Sequence, residues 1–231
     1  MNSTITIRRE KNIGYEDLQR EWRREQEQKW RQEDIQRQIK LLAIPPLYQG
    51  LNLSSYEKYD QRQAGVFRQI EEYIKNFSMI GTQPRHGFLA GPCGTGKTMA
   101  GYIIARSVIE QGFSARIFRF EDLISSIRKT WKNPTIDTDE FKKSFAKIDL
   151  LIIDEFGRYT LSDQDHKDFS EIMDYRYDYK KPNLIISNVF ISQKIKGQPS
   201  VQNILGERLW DRMSQGKPFE FEFNWSSYRQ R

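Results

Sequence analysis

Apolar positions are sparse near the start of the chain and then alternate between two periods. Residues 15–40 are dense in Gln, Glu, Arg and Lys, with Tyr15, Leu18 and Trp22 at i, i+3 and i+7, one face of a helix. A stripe this narrow builds no core. It suits a helix, or a pair of helices, lying against another body, or else a charged tail without fixed structure. Pro45 and Pro46 end the region, because neither ring continues a helix. Residues 47–60 read as a loop carrying aromatics, and residues 63–77 as an amphipathic helix with Val66, Phe67, Ile70, Tyr73, Ile74 and Phe77 on one side. From there short apolar strands alternate with helices. Strands are predicted over 86–90, 115–120, 149–153, 183–187 and 219–223, and helices over 97–111, 121–131, 138–146, 165–179 and 204–213. Strands separated by helices imply an α/β domain with a largely parallel sheet and right-handed crossovers. No internal repeat is visible.

A length of 231 residues leaves room for one such domain plus an extension. The 37 Lys and Arg exceed the 31 Asp and Glu, for a net charge of +6. That excess points to an anionic partner, nucleic acid first, or to a plain solvated surface. The single cysteine, Cys93, rules out an internal disulfide and a cysteine zinc cluster. Residues 1–10 hold Arg8 and Arg9 but no apolar leader core, and no apolar run approaches the length that spans a bilayer. The expectation is a cytoplasmic protein with no membrane partner.

The chemistry begins at Gly91-Pro92-Cys93-Gly94-Thr95-Gly96-Lys97-Thr98, which satisfies G-x-x-x-x-G-K-[ST] between a predicted strand and a predicted helix. Glycines let the backbone wrap a phosphate with N–H groups turned inward, and the helix start adds its positive end. Lys97 is expected on the β- and γ-phosphates of ATP and the Thr98 hydroxyl on Mg²⁺. Cys93 reads as a small filler of the loop rather than a nucleophile. Leu150-Leu151-Ile152-Ile153 then leads into Asp154 and Glu155, placing two carboxylates at the ligand-facing end of a parallel strand. Asp154 is expected in the Mg²⁺ shell. Glu155 is expected to orient and activate the attacking water, or else to be a solvated loop acid.

These segments, together with Leu205-Gly206-Glu207-Arg208-Leu209-Trp210-Asp211-Arg212-Met213 and Phe223-Asn224-Trp225-Ser226-Ser227-Tyr228-Arg229, resemble the DnaC/IstB branch of AAA+ ATPases from about residue 44 onward. The resemblance implies an AAA+ P-loop domain over residues 45–231, with a central parallel sheet flanked by helices. A helical extension over residues 1–44 would grip a partner. It also implies a sensor 1 role for Asn188, an arginine finger at Arg212 assisted by Arg208, and a sensor 2 role for Arg229. Read from the residues alone, Glu207, Arg208, Asp211 and Arg212 are equally an exposed salt-bridged helix, and Asn188 a turn residue. A finger working in trans implies head-to-tail assembly into an arc or spiral.

In the resembled family the segment between the two nucleotide motifs faces single-stranded DNA. Trp131 occupies the place of a DNA-contacting aromatic, with Arg128, Lys129 and Lys132 around it, as base stacking and phosphate neutralisation require. Packing in the core is the other reading of Trp131. Ser162 and Tyr159 are further DNA candidates. Leu18, Trp22 and Trp30 fall where the extension would hold a hexameric replicative helicase of DnaB type. The implied function is ATP-dependent loading of that helicase onto single-stranded DNA in replication. An IstB-like transposition ATPase and a nucleotide-gated DNA-binding adaptor with little turnover are the alternatives.

Overall fold

A computed structural model describes residues 15–56, 61–80, 85–192 and 197–230. The leader reading of residues 1–10, and residues 1–14 of the predicted extension, lie outside them.

The elements run α1 (Tyr15–Leu42), α2 (Gln61–Lys75), α3 (Phe77–Ile80), β1 (Gly87–Ala90), α4 (Lys97–Glu110), β2 (Ala115–Arg119), α5 (Phe120–Trp131), α6 (Thr138–Ser144), β3 (Leu150–Phe156), α7 (Asp163–Asp178), β4 (Asn183–Ser187), α8 (Val201–Ser214) and β5 (Phe219–Glu222). The strands form one sheet in the order β2-β3-β4-β1-β5. Every pairing is parallel, as predicted. β4 lies between β1 and β3, so the segments that follow these three strands emerge side by side at the carboxyl edge, where ligands bind such sheets.

Side chains alternate across the strands, so both faces of the sheet need cover. Ile152, Leu184, Ile186 and Phe221 pack under α2, α4 and the end of α1, with Phe67, Ile70, Ile104 and Val108. Leu151, Ile153, Ile185 and Phe88 pack under α5, α7 and α8, with Leu123, Ile127, Phe169 and Leu209.

The structure sharpens several predicted boundaries. The described part of the predicted extension is a 28-residue helix. It ends at Leu42 with Ala43 in the left-handed region (φ 49°), before the prolines, which begin a 3₁₀ turn at Pro46–Tyr48 instead. A second 3₁₀ turn, Leu53–Ser55, carries the predicted loop into buried Tyr56. The end of α1 is docked: Leu42 is buried, Ile35 and Ile39 pack on the core, Arg31 donates to the Gln111 carbonyl at 3.0 Å and Arg116 donates to Gln38 at 2.8 Å. Leu18, Trp22 (62% exposed) and Trp30 (74% exposed) lie on the part that stands clear of the core. β3 runs three residues past the predicted end and takes in both acids. α8 starts three residues early and kinks at Gly206 (φ 76°).

Beneath the opposite end of the sheet lies a polar network. Arg176 is fully buried and donates to Asn183 Oδ1 and to the carbonyls of Phe145, Ile148 and Pro182. The Asn183 N–H donates to His86 Nδ1 at 3.1 Å. Burial pushes His86 down to about 4, helped by the Arg176 charge. An unfolded histidine titrates near 6.5 (about 6.5 in model peptides). Between these values the unfolded chain takes up a proton that the folded chain refuses. Stability contributed by neutral His86 is therefore fully present above about 6.5 and is lost as pH falls toward 4, by up to roughly 3 kcal/mol. Urea unfolding at pH 7.5 and 4.5 should show this loss, and His86→Gln should remove that part of the slope; equal slopes would refute the buried neutral histidine.

Candidate functional site

The phosphate loop joins β1 to α4, and its conformation is possible only with its glycines. Gly94 (φ 77°) and Gly96 (φ 92°) occupy the left-handed region. A Cβ on Gly94 would lie 2.0 Å from Ser227 Oγ, and one on Gly96 would lie 2.6 Å from the Tyr56 ring. Four side chains and main-chain groups hold the loop carbonyls, three of them from outside the loop. Lys97 Nζ donates to the Gly91 and Pro92 carbonyls at 2.7 and 2.6 Å, the Tyr228 N–H to Gly94 at 2.9 Å, Trp225 Nε1 to Thr95 at 3.1 Å, and the Tyr56 hydroxyl to Gly96 at 2.6 Å. Holding carbonyls away is what lets the N–H groups of such a loop converge on an anion. Burial lowers the Lys97 ammonium to about 8, opposed by Cys93 and Asp154, so it remains mostly charged at neutral pH. Cys93 is exposed and lines the cleft.

At the end of β3, Asp154 Oδ2 accepts from the Thr98 hydroxyl at 3.0 Å and Asp154 Oδ1 from the Glu155 N–H at 2.8 Å. Burial raises the Asp154 carboxyl, and these two bonds oppose it. The pairing with β4 slips between Ile153 and Phe156, and Glu155 there takes φ 58°, a costly conformation for a residue other than glycine. Glu155 accepts from Arg158 Nη1 at 2.7 Å. Asn188, just past β4, is exposed on the same cleft, and Ser187 ties the end of β4 to the Phe156 carbonyl at 2.6 Å.

The cleft has a volume of about 1050 Å³. It brings together Gly94, Gly96, Lys97, Thr98, Asp154, Glu155, Asn188 and Arg229, with Leu47, Tyr48, Leu51, Tyr56 and Tyr228 along a wall of aromatic and aliphatic side chains. Gly91, Pro92 and Thr95 complete the loop behind it. The set fits a nucleoside triphosphate: an anion cradle, a cation, a wall for a base, and two hard oxygen donors, Thr98 and Asp154, of the kind Mg²⁺ takes. Sequence reasoning missed Tyr56, Trp225, Ser227, Tyr228 and Arg158. Trp225, Ser227 and Tyr228 lie in the 223–229 stretch that carries the resemblance, a signal that could have found them.

The remaining candidates lie elsewhere. Arg208 and Arg212 are off the cleft of their own chain. Both pair with Asp174 of α7, Arg208 at 2.6 Å, and Arg212 also sits 4.8 Å over the Tyr177 ring. The salt bridge is thus to α7 rather than within α8. Trp131 is 50% exposed at the end of α5, which sets aside the core reading. Lys129 and Lys132 beside it are exposed. Arg128 pairs with Asp165, the residue whose other oxygen accepts from Ser162 Oγ at 2.7 Å, while Ser162 caps α7. Arg128 and Ser162 are therefore brought together by an acid that the sequence reading did not single out. Tyr159 is 42% exposed. Among the described residues no helix is long and apolar enough to cross a membrane.

Comparison with known proteins is consistent with this geometry. The profile of the IstB-like ATP binding protein family matches residues 1–230. The chain is 28% identical over 197 residues to the replicative helicase loader DnaC of Escherichia coli (strain K12), covering 85% of this chain and 76% of that protein. The crystal structure of the DnaC helicase loader matches with TM-score 0.65 at 24% identity, covering 77% of this chain and 99% of that one. AMPPCP-bound DnaA from Aquifex aeolicus matches with TM-score 0.59 at 20% identity, covering 77% and 51%. The two structural likenesses speak to the fold alone.

Proposed function

This chain belongs to the IstB-like ATP binding protein family, and from that premise we propose that it is an ATP-hydrolysing loader of a DnaB-type replicative helicase, working in the cytoplasm. The observation that carries the proposal is the likeness to E. coli DnaC across 85% of the chain. The exposed aromatics of α1, on a helix whose far end is anchored beside α4, support it.

In this reading the loop from Gly91 to Thr98 and Lys97 hold the triphosphate of ATP. Thr98 and Asp154 would hold Mg²⁺, which supplies charge neutralisation at the phosphates. Glu155 takes a proton from the attacking water at a carboxylate oxygen, and Asn188 orients that water. Arg229 contacts the nucleotide in cis. Arg212, with Arg208 beside it, reaches the nucleotide of the next subunit, so that subunits assemble head to tail. Trp131, Arg128, Lys132 and Ser162 contact single-stranded DNA, and Leu18, Trp22 and Trp30 contact the helicase.

The test is native mass spectrometry of the full chain with the helicase hexamer of its host, with and without ATP. A hexamer carrying several copies is expected. Trp22→Ala/Trp30→Ala should weaken the complex at least tenfold, the scale of interface anchors, and leave ATP binding unchanged. Absence of any complex under every nucleotide condition would sink the loader reading. Capture of a transposase in place of the helicase would favour the IstB-like alternative.

A further inference from the structure

Arg158 was singled out by nothing in the sequence, yet it stands in the nucleotide cleft with its guanidinium on the acid expected to do the chemistry. Arg158 Nη1 donates to Glu155 Oε2 at 2.7 Å, and both side chains line the cleft beside Thr98, Asp154 and Asn188. The backbone between them is bent by Glu155 at φ 58° and Gly157 at φ 80°, where a Cβ on Gly157 would lie 2.6 Å from Ile204 Cδ1. The next residue, Tyr159, carries the guanidinium 5.5 Å over its ring. The turn delivers a cation to one carboxylate oxygen. That oxygen is engaged by a charge-assisted hydrogen bond, which fixes the direction in which the carboxylate faces.

We propose that Arg158 is a positioning residue that holds the Glu155 carboxylate off the attacking water, so that each turnover waits on opening of the Glu155–Arg158 pair. The proposal rests on the reading of Glu155 as the base. Arg158 is 55% and Glu155 30% exposed, so the pair is a weak hold in solvent rather than a permanent block. Its removal should accelerate the reaction, the opposite of what loss of a phosphate ligand would do.

The experiment is steady-state ATP hydrolysis by the full chain carrying Arg158→Gln, Arg158→Lys, Glu155→Gln, or Glu155→Gln with Arg158→Gln. For Arg158→Gln, kcat should rise roughly two- to fivefold, the scale of an exposed ion pair, with KM for ATP unchanged and the thermal midpoint unmoved. Arg158→Lys, which keeps a cation, should stay near wild type. The double variant should be as inactive as Glu155→Gln alone. A kcat at or below wild type in Arg158→Gln, or a raised KM, would overturn the hold and make Arg158 a ligand of the phosphates. Wild-type turnover in Glu155→Gln would overturn it differently, by removing the base itself.

Discussion

Replacing Glu155 with glutamine is expected to leave ATP binding within about twofold of wild type and to cut turnover by roughly 10²–10⁴-fold, the usual worth of a positioned proton acceptor. Glutamine keeps the shape and loses the charge, so it cannot take the proton. The groups proposed to hold the nucleotide are untouched. Lys97 is set by the Gly91 and Pro92 carbonyls, and Thr98 by Asp154. The bond from residue 155 to Asp154 comes from the main-chain N–H, so it survives the substitution. Fluorescent-nucleotide titration beside phosphate release would separate the two effects. A variant that still hydrolyses ATP at the wild-type rate would show that Glu155 is a solvated acid. A wild-type protein that binds ATP tightly and never turns it over would favour the adaptor reading.

The second large effect concerns Arg212. Arg212→Ala should bind ATP normally as a single subunit, yet lose roughly 10³-fold or more of the turnover of the assembled protein, the range reported by arginine fingers. Two features preorganise this side chain: Asp174, which takes Arg208 and Arg212 on its two oxygens, and the Tyr177 ring beneath the guanidinium. A finger held in advance loses less freedom when it meets a phosphate. If the cluster is only a surface salt bridge, the substitution costs about 0–1 kcal/mol of stability and no turnover. Mixing decides between them. Arg212→Ala subunits keep the base and Glu155→Gln subunits keep the finger, so blending two inactive proteins should restore activity. A blend as inactive as its parts would remove the finger assignment.

Some of this protein was written in short stretches of its sequence. The phosphate loop is legible because its backbone demands glycine at set spacings before Lys97 and Thr98. The helices and strands are legible because burying one face imposes a period of 3.6 or 2. The acids are legible because Asp154 and Glu155 end an apolar run that only a buried parallel strand explains. These are local requirements, met by residues a few positions apart. The tertiary structure alone decided the rest, through partners distant along the chain. Trp225, Tyr228 and Tyr56 brace the loop from 40 to 134 residues away, which no periodicity encodes. Arg176 and His86 meet beneath the sheet only because β1 and β4 are neighbours. Arg212 faces Asp174 rather than an acid of its own helix, because α7 and α8 cover the same face. Which charge a polar side chain finds, and whether Trp131 is exposed, depend on how the layers close over the sheet, and packing settles that only once every element is in place.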